Sequence, residues 1–164
     1  MEENDILDHL ISDWNREEPE LDASAMQIVG RILQLGKKLE KRAGSALRDT
    51  GIYYTDLDVL ATLRRSGSPY QLTPTQLYKS VLVTSGAMTA LLDRLEKMKL
   101  VYRSPSPGDG RVKMAALTEE GVRVIDAAIQ LRFQEAQGAV EIFSSEEKMQ
   151  LRSLLKKMLH HINS

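Results

Sequence analysis

The chain contains no cysteine. That excludes disulfides, thiolate metal sites and a cysteine-based peroxide sensor. Aromatic residues make up 5% of the 164 positions, with a single tryptophan, Trp14. No run approaches the roughly 20 apolar residues of a bilayer span. The first residues are acidic and lack an apolar stretch, so no secretory signal is expected. These absences predict a soluble, cytoplasmic protein without membrane partners. There is no phosphate-cradling GxxxxGK[ST] loop, no dinucleotide-binding glycine fingerprint and no HExxH. Serine, histidine and aspartate occur without a catalytic signature, so neither an enzyme nor a cofactor is expected. His160 and His161 are adjacent, point in different directions on a helix and have no cysteine or acidic cluster beside them. No metal site is expected there.

The chain also has little net charge, −1. The distribution is more informative than the sum. Residues 60–115 hold nine Lys/Arg against three Asp/Glu, whereas residues 1–22 hold nine acids against Arg16 alone. A basic middle behind an acidic leader suits a polyanionic partner for the middle segment.

That segment has a readable order. Thr73 is placed to cap a helix whose first position is Pro74, where a missing N–H leaves nothing unsatisfied. Leu77 and Val81 follow at i, i+4 spacing. Thr84 can cap a second helix with Met88, Leu91 or Leu92, Leu95 and Met98 as its apolar stripe. Its opposite face carries Ser85, Thr89, Ala90, Asp93 and Arg94. Val101–Ser104 and Val112–Leu117 then read as two strands around a tip punctuated by Pro105, Pro107, Gly108 and Gly110. Arg111 and Lys113 stand at that tip. Helix, turn, helix and basic hairpin make a winged helix-turn-helix, whose second helix fits a major groove and whose wing reaches a minor groove. Thr73, Thr75, Gln76, Ser85, Thr89, Ala90, Arg94, Arg111 and Lys113 are therefore the expected DNA-binding residues.

Around this lobe the pattern predicts helices. Residues 3–16 carry Ile6, Leu7, Leu10, Ile11 and Trp14 on one face. Residues 23–49 form a long helix ended by Gly51, and Thr55 is expected to cap a helix to Arg65. Thr118 caps another long helix to about Phe143. Ser144 and Glu147 form a capping box for the last one, striped by Leu151, Leu154, Leu155, Met158, Leu159 and Ile162. These stripes exceed what one small lobe can cover, which leaves packing against a second subunit, the more economical solution, or an intramolecular bundle. The fold class is mainly α with a small β-wing, flanked by N- and C-terminal dimerisation helices. Residues 1–21 form an extra helix and acidic linker. Residues 22–162 form the main domain, with a DNA-binding lobe at 55–118 and dimerisation helices at 22–50 and 119–162.

The wing GDGRVKMAALTEEG resembles the MarR family of bacterial transcription regulators, which has an acidic-x-Arg wing followed by Leu-Thr-x-x-Gly. Asp109, Arg111, Leu117, Thr118 and Gly121 fill those positions. The resemblance spans about residues 22–162 and implies a triangular homodimer on double-stranded DNA, acting most often as a repressor. The added N-terminal helix with Trp14 resembles the branch that includes PecS and the urate-responsive regulators. That likeness implies a ligand-response site at Trp14, Asp58 and Arg103. A second arginine of that branch falls at Leu91, so a small aromatic or phenolic anion other than urate is the expected effector. For Arg103 a phosphate contact or a salt bridge stays open, for Trp14 a plain anchoring role, and for Asp58 an exposed position or a pairing with a nearby arginine. The family's polar readers are also thinned at Ala90, Leu91 and Val112. This leaves a second reading, a winged-helix protein-interaction module without DNA binding.

Overall fold

The computed structural model describes the backbone of residues 4–81, 85–106 and 109–164. It describes the side chains of the same residues except 85–87, 106 and 109–112. The chain divides into two compact units, residues 1–42 and 43–164.

The first unit holds α1 (Ile6–Glu17) and most of α2 (Met26–Ala46). Asp5 caps α1 by accepting from the N–H groups of Leu7 and Asp8, and Asp8 reaches back to the Asp5 N–H at 2.9 Å. This capping box satisfies donors that the first turn would otherwise leave bare. The apolar residues of α1 part into two rows. Leu7 and Ile11 are buried, while Ile6, Leu10 and Trp14 remain about half exposed. Leu7 lies against Gly30 of α2, so closely that a Cβ there would meet its Cδ1 at 2.5 Å. Arg31 fastens the same junction to Asp5 at 2.9 Å and to Asp8 at 2.6 Å.

In the second unit a short 3-10 turn (Arg48–Thr50) ends at Gly51, whose φ of 76° is left-handed. There follow α3 (Tyr54–Arg65), β1 (Gln71–Leu72), α4 (Pro74–Ser80), α5 (Ser85–Lys97), β2 (Val101–Ser106), β3 (Asp109–Leu117), α6 (Glu119–Ala139) and α7 (Ser145–Ile162). The three strands lie in the order β1-β3-β2, all antiparallel. Ala115 and Ala116, on opposite faces of the central strand, are both buried. The core is built from Leu57, Leu60 and Leu63 of α3, Leu77 of α4, Met88, Leu92 and Leu95 of α5, and Ile125 and Ala128 of α6.

Several boundaries differ from expectation. Helix α3 starts at Tyr54, not after Thr55, because the Asp56 carboxylate accepts from the Tyr53 N–H at 2.7 Å and closes the first turn there. Helix α6 stops at Ala139. The two-residue β1 carries too little sequence for a strand pattern and exists through its pairing with Ala115 and Ala116. Thr73 does accept from the Gln76 N–H, Pro74 opens α4, and Ser144 and Glu147 do form the capping box of α7. Thr84, Pro107 and Gly108 lie outside the described residues.

Candidate nucleic-acid interface

The two helices of the expected DNA-reading element are held by specific contacts at their ends. Thr73 and Gln76 cap α4 at its start. At its end the Arg65 guanidinium donates to the Ser80 carbonyl at 2.8 Å, placing a cation on carbonyls the helix leaves unpaired. Helix α5 ends in a Schellman-type turn, with the Leu100 N–H on the Leu95 carbonyl and the Lys99 N–H on the Glu96 carbonyl. Lys99 takes the left-handed position at φ 59°, where glycine is usual. The chain then enters β2 directly, which fixes the wing relative to α5.

Thr75, Gln76, Thr89 and Ala90 are exposed. Lys113 is exposed on β3 opposite Pro105. The side chains of Ser85 and Arg111 lie outside the described residues, although Ser85 begins α5 and Arg111 sits in β3.

Arg94 departs from the expected arrangement. Its guanidinium is turned onto the Asp56 carboxylate of α3 and lies over the Tyr53 ring, 4.1 Å from its centre. Asp56 is fully buried, and its Oδ1 has no donor among the described residues. Burial pushes this carboxyl above its ordinary pKa, opposed by the Tyr53 N–H and the Arg94 charge. The buried acid of α3 is thus Asp56. Asp58 is half-buried, and its carbonyl accepts from the Thr62 hydroxyl. Asp56 escapes a periodicity search because an acid in the first turn of a helix reads as a surface residue.

Part of the basic excess of the middle segment is engaged in contacts within the chain. Arg64 pairs with Asp126 and stacks on Tyr70, Arg65 caps α4, and Arg94 holds Asp56. Arg103 pairs with Asp93 and approaches Glu96 at 3.6 Å. Both acids belong to α5 and would repel a phosphate backbone, and Arg103 neutralises them from β2. Lys79, Lys97, Lys99 and Lys113 remain exposed. Arg103 and Lys113 also line a cavity of about 140 Å³ together with Pro74, Met88, Thr89 and Leu92. It is an apolar recess with two cations at its rim, between the two helices and the wing. Trp14 belongs to the first unit, on α1, and is 56% exposed.

Comparison with known proteins places this arrangement. The model of the MarR family matches residues 50–112. The multiple antibiotic resistance protein MarR of Salmonella typhimurium is 30% identical over 133 residues, which is 80% of this chain and 90% of that protein. The chain belongs to the MarR family. It is a family of transcription regulators with a winged helix-turn-helix, as the lobe described above displays. The regulator PecS of Dickeya dadantii is 29% identical over 153 residues, 93% of this chain and 92% of that protein. A variant of Escherichia coli MarR crystallised with operator DNA has a TM-score of 0.72 at 28% identity, covering 89% of this chain and 97% of that one. The MarR-family motif Leu117, Thr118 and Gly121 has a structural reason here. Thr118 caps α6 by accepting from the Gly121 N–H, and its hydroxyl lies 2.7 Å from the Lys99 carbonyl.

Proposed function

We propose that this MarR-family chain binds double-stranded DNA as a homodimer and releases it in response to a small aromatic or phenolic anion, acting as a repressor. The observation that carries the DNA reading is the exposed Thr89 and Ala90 face of α5, set beside the exposed Lys113 of the wing. Helix α5 would enter a major groove, with Ser85, Thr89 and Ala90 toward the bases and Thr73, Thr75 and Gln76 toward the backbone. Arg111 would reach the minor groove. Small or short side chains on α5 give few hydrogen bonds to base edges. Lys79, Lys97, Lys99 and Lys113 supply backbone attraction, so shape and phosphate contacts carry much of the affinity. Two lobes on one pseudo-palindrome would sit roughly 34 Å apart.

The homodimer is supported by α7, which buries none of its residues, and by a groove of about 530 Å³ lined by Val140, Phe143, Leu151 and Leu155. Trp14, Asp58 and Arg103 are the proposed effector-responsive residues. For Arg103 the support is the recess it shares with Lys113, where a cation beside apolar walls suits a ring bearing an acidic group. Leu91 is buried at 9% exposure and offers no charge to an effector. This reading assigns the chain binding and release, without catalysis.

A band-shift measurement with DNA upstream of its own gene tests the proposal, at several salt concentrations and with a panel of phenolic and purine compounds. Affinity should fall steeply with salt, and a phenolic acid should release the DNA while urate has little effect. Absence of any salt-dependent binding would favour the protein-interaction alternative.

A further inference from the structure

We propose that Tyr53 and Asp56 hold Arg94 as a clasp that sets the pose of α5, so that Arg94 serves DNA binding as a positioning residue and not as a contact to DNA. The inference rests on the DNA-binding reading above.

Helix α5 is seated on the lobe by Met88, Leu91, Leu92 and Leu95. Apolar contacts of this kind are strong but non-directional, and they tolerate small rotations of a helix about its axis. Arg94 lies on the same helix between Leu91 and Leu95, and one turn from the exposed Ala90. Its guanidinium is fixed in two ways at once. One nitrogen donates to Asp56 Oδ2, and the group lies over the Tyr53 ring at 4.1 Å. A planar fork held edge-on by a carboxylate and face-on by a ring has little freedom left. Asp56 is itself fixed, because the same Oδ2 accepts from the Tyr53 N–H at 2.7 Å in the first turn of α3. Rotating α5 would therefore pull a guanidinium off a fully buried carboxylate.

The composition of the site supports this role over simple stabilisation. Asp56 is surrounded in sequence by core residues, Leu57, Val59 and Leu60. One of its oxygens finds no donor among the described residues. A buried charge held so incompletely is a poor way to gain stability, and an apolar residue of similar volume would serve as well. What the pair supplies is direction. It ties the first turn of α3 to the last turn of α5, 38 positions along the chain.

The experiment measures affinity for a fluorescent duplex from upstream of the chain's own gene, across a salt series. It compares the unmodified protein, Asp56→Ala, Arg94→Gln, the double variant and Tyr53→Leu. Thermal unfolding confirms that each is folded at the assay temperature. Each single variant should lose affinity by about tenfold, and the double variant should lose no more than the worse single one, as expected for residues acting as one unit. The slope of log affinity against log salt should not change, because no phosphate contact is removed.

Asp56→Ala is the sharpest arm, since it frees Arg94 with its charge intact. If Arg94 touches DNA directly, Asp56→Ala binds as well as the unmodified protein or better, and Arg94→Gln flattens the slope by about one contact. That result, additive losses, or folded variants that all bind normally would overturn the clasp alone. An unmodified protein that binds no DNA would end the DNA reading and this inference with it. Should Arg94→Gln not fold, Asp56→Ala and Tyr53→Leu decide: both must weaken binding at unchanged slope.

Discussion

Gly121 stands where the wing returns to the long helix, and a single methyl group decides whether that junction closes. A Cβ at Gly121 would meet the Leu100 carbonyl oxygen at 2.0 Å and its carbon at 3.0 Å. Backbone cannot swing away as a side chain can, and Leu100 is pinned there because its carbonyl accepts from the Thr118 N–H at 3.1 Å. Gly121→Ala should therefore destabilise the chain by roughly 2–4 kcal/mol despite alanine's better helix propensity, measured by denaturant unfolding. Gly30→Ala is the contrasting case. There the close atom is the end of the Leu7 side chain, at 2.5 Å. Leu7 can shift, and a propensity gain of up to about 1 kcal/mol offsets the displacement, so the change should stay within about 1 kcal/mol of neutral. Equal losses at both positions would show that the carbonyl contact is not what constrains Gly121. The Leu-Thr-x-x-Gly string was legible as a family mark in the sequence. The reason for its glycine was not, since it depends on a carbonyl 21 residues earlier. Arg94 and Asp56 show the same limit. Each residue type was visible, but a pair of charges on separate helices has no spacing rule that announces it. Arg103 was open between ligand, phosphate and salt bridge, and the structure pairs it with Asp93 and Glu96.

At the scale of elements, capping chemistry was the most legible signal and long-range pairing the least. Thr73 with Pro74, Thr118, and Ser144 with Glu147 each mark a helix start through contacts within three residues, which a sequence displays in full. Strand β1 depends on β3, some 44 residues later, and leaves no local trace. The division of α1 into a buried row and an exposed row was equally hidden, because Leu7 is buried against Gly30 of α2, a neighbour 23 residues later that α1 alone does not announce. The attachment of α1 to α2 is also ionic, and this gives it a pH dependence. The Asp8 carboxyl is held below its ordinary pKa, first by its hydrogen bond to the Asp5 N–H and then by the Arg31 guanidinium. A carboxylate with a depressed folded value stabilises the folded arrangement above the unfolded value of 3.8, and that contribution is lost as pH falls through the lower one. The attachment should thus be constant from neutrality down to about pH 4 and weaken below it. Backbone NMR shifts of Asp5 to Ile11 in a His9→Gln background would follow this, and Arg31→Met should lose only part of the dependence, because the larger cause, the hydrogen bond from the Asp5 N–H, stays in place. Movement of these signals between pH 7 and 5 would point to some other group.

For the whole molecule the question is what covers the apolar residues that the chain leaves outside. Helix α7 exposes Leu154, Leu159 and Ile162 by more than 60% each, and α2 exposes Ile28 and Leu33 to the same degree. Scattered apolar residues on a surface are ordinary, but rows at helical spacing over most of a helix are not. The periodicity made this surplus legible in the sequence, because the stripes outnumbered the faces that one lobe could cover. Which residues meet in a partner was not legible, since that depends on the symmetry of assembly. Deleting residues 146–164 removes α7 and the apolar stripe of Leu151, Leu155 and Ile162 while leaving the core of the second unit intact, because none of its buried residues lies on α7. The truncated chain should keep the winged lobe and sediment as a monomer, or aggregate through surfaces that a partner's α7 would have covered. Its affinity for an operator should drop by orders of magnitude, since one lobe on one half-site forfeits the effective concentration that linkage to a second lobe provides. Sedimentation velocity beside circular dichroism separates the outcomes. A soluble, folded dimer from the truncated chain would place the interface elsewhere. A folded monomer that binds DNA as tightly as the full chain would show that this regulator reads its site one lobe at a time.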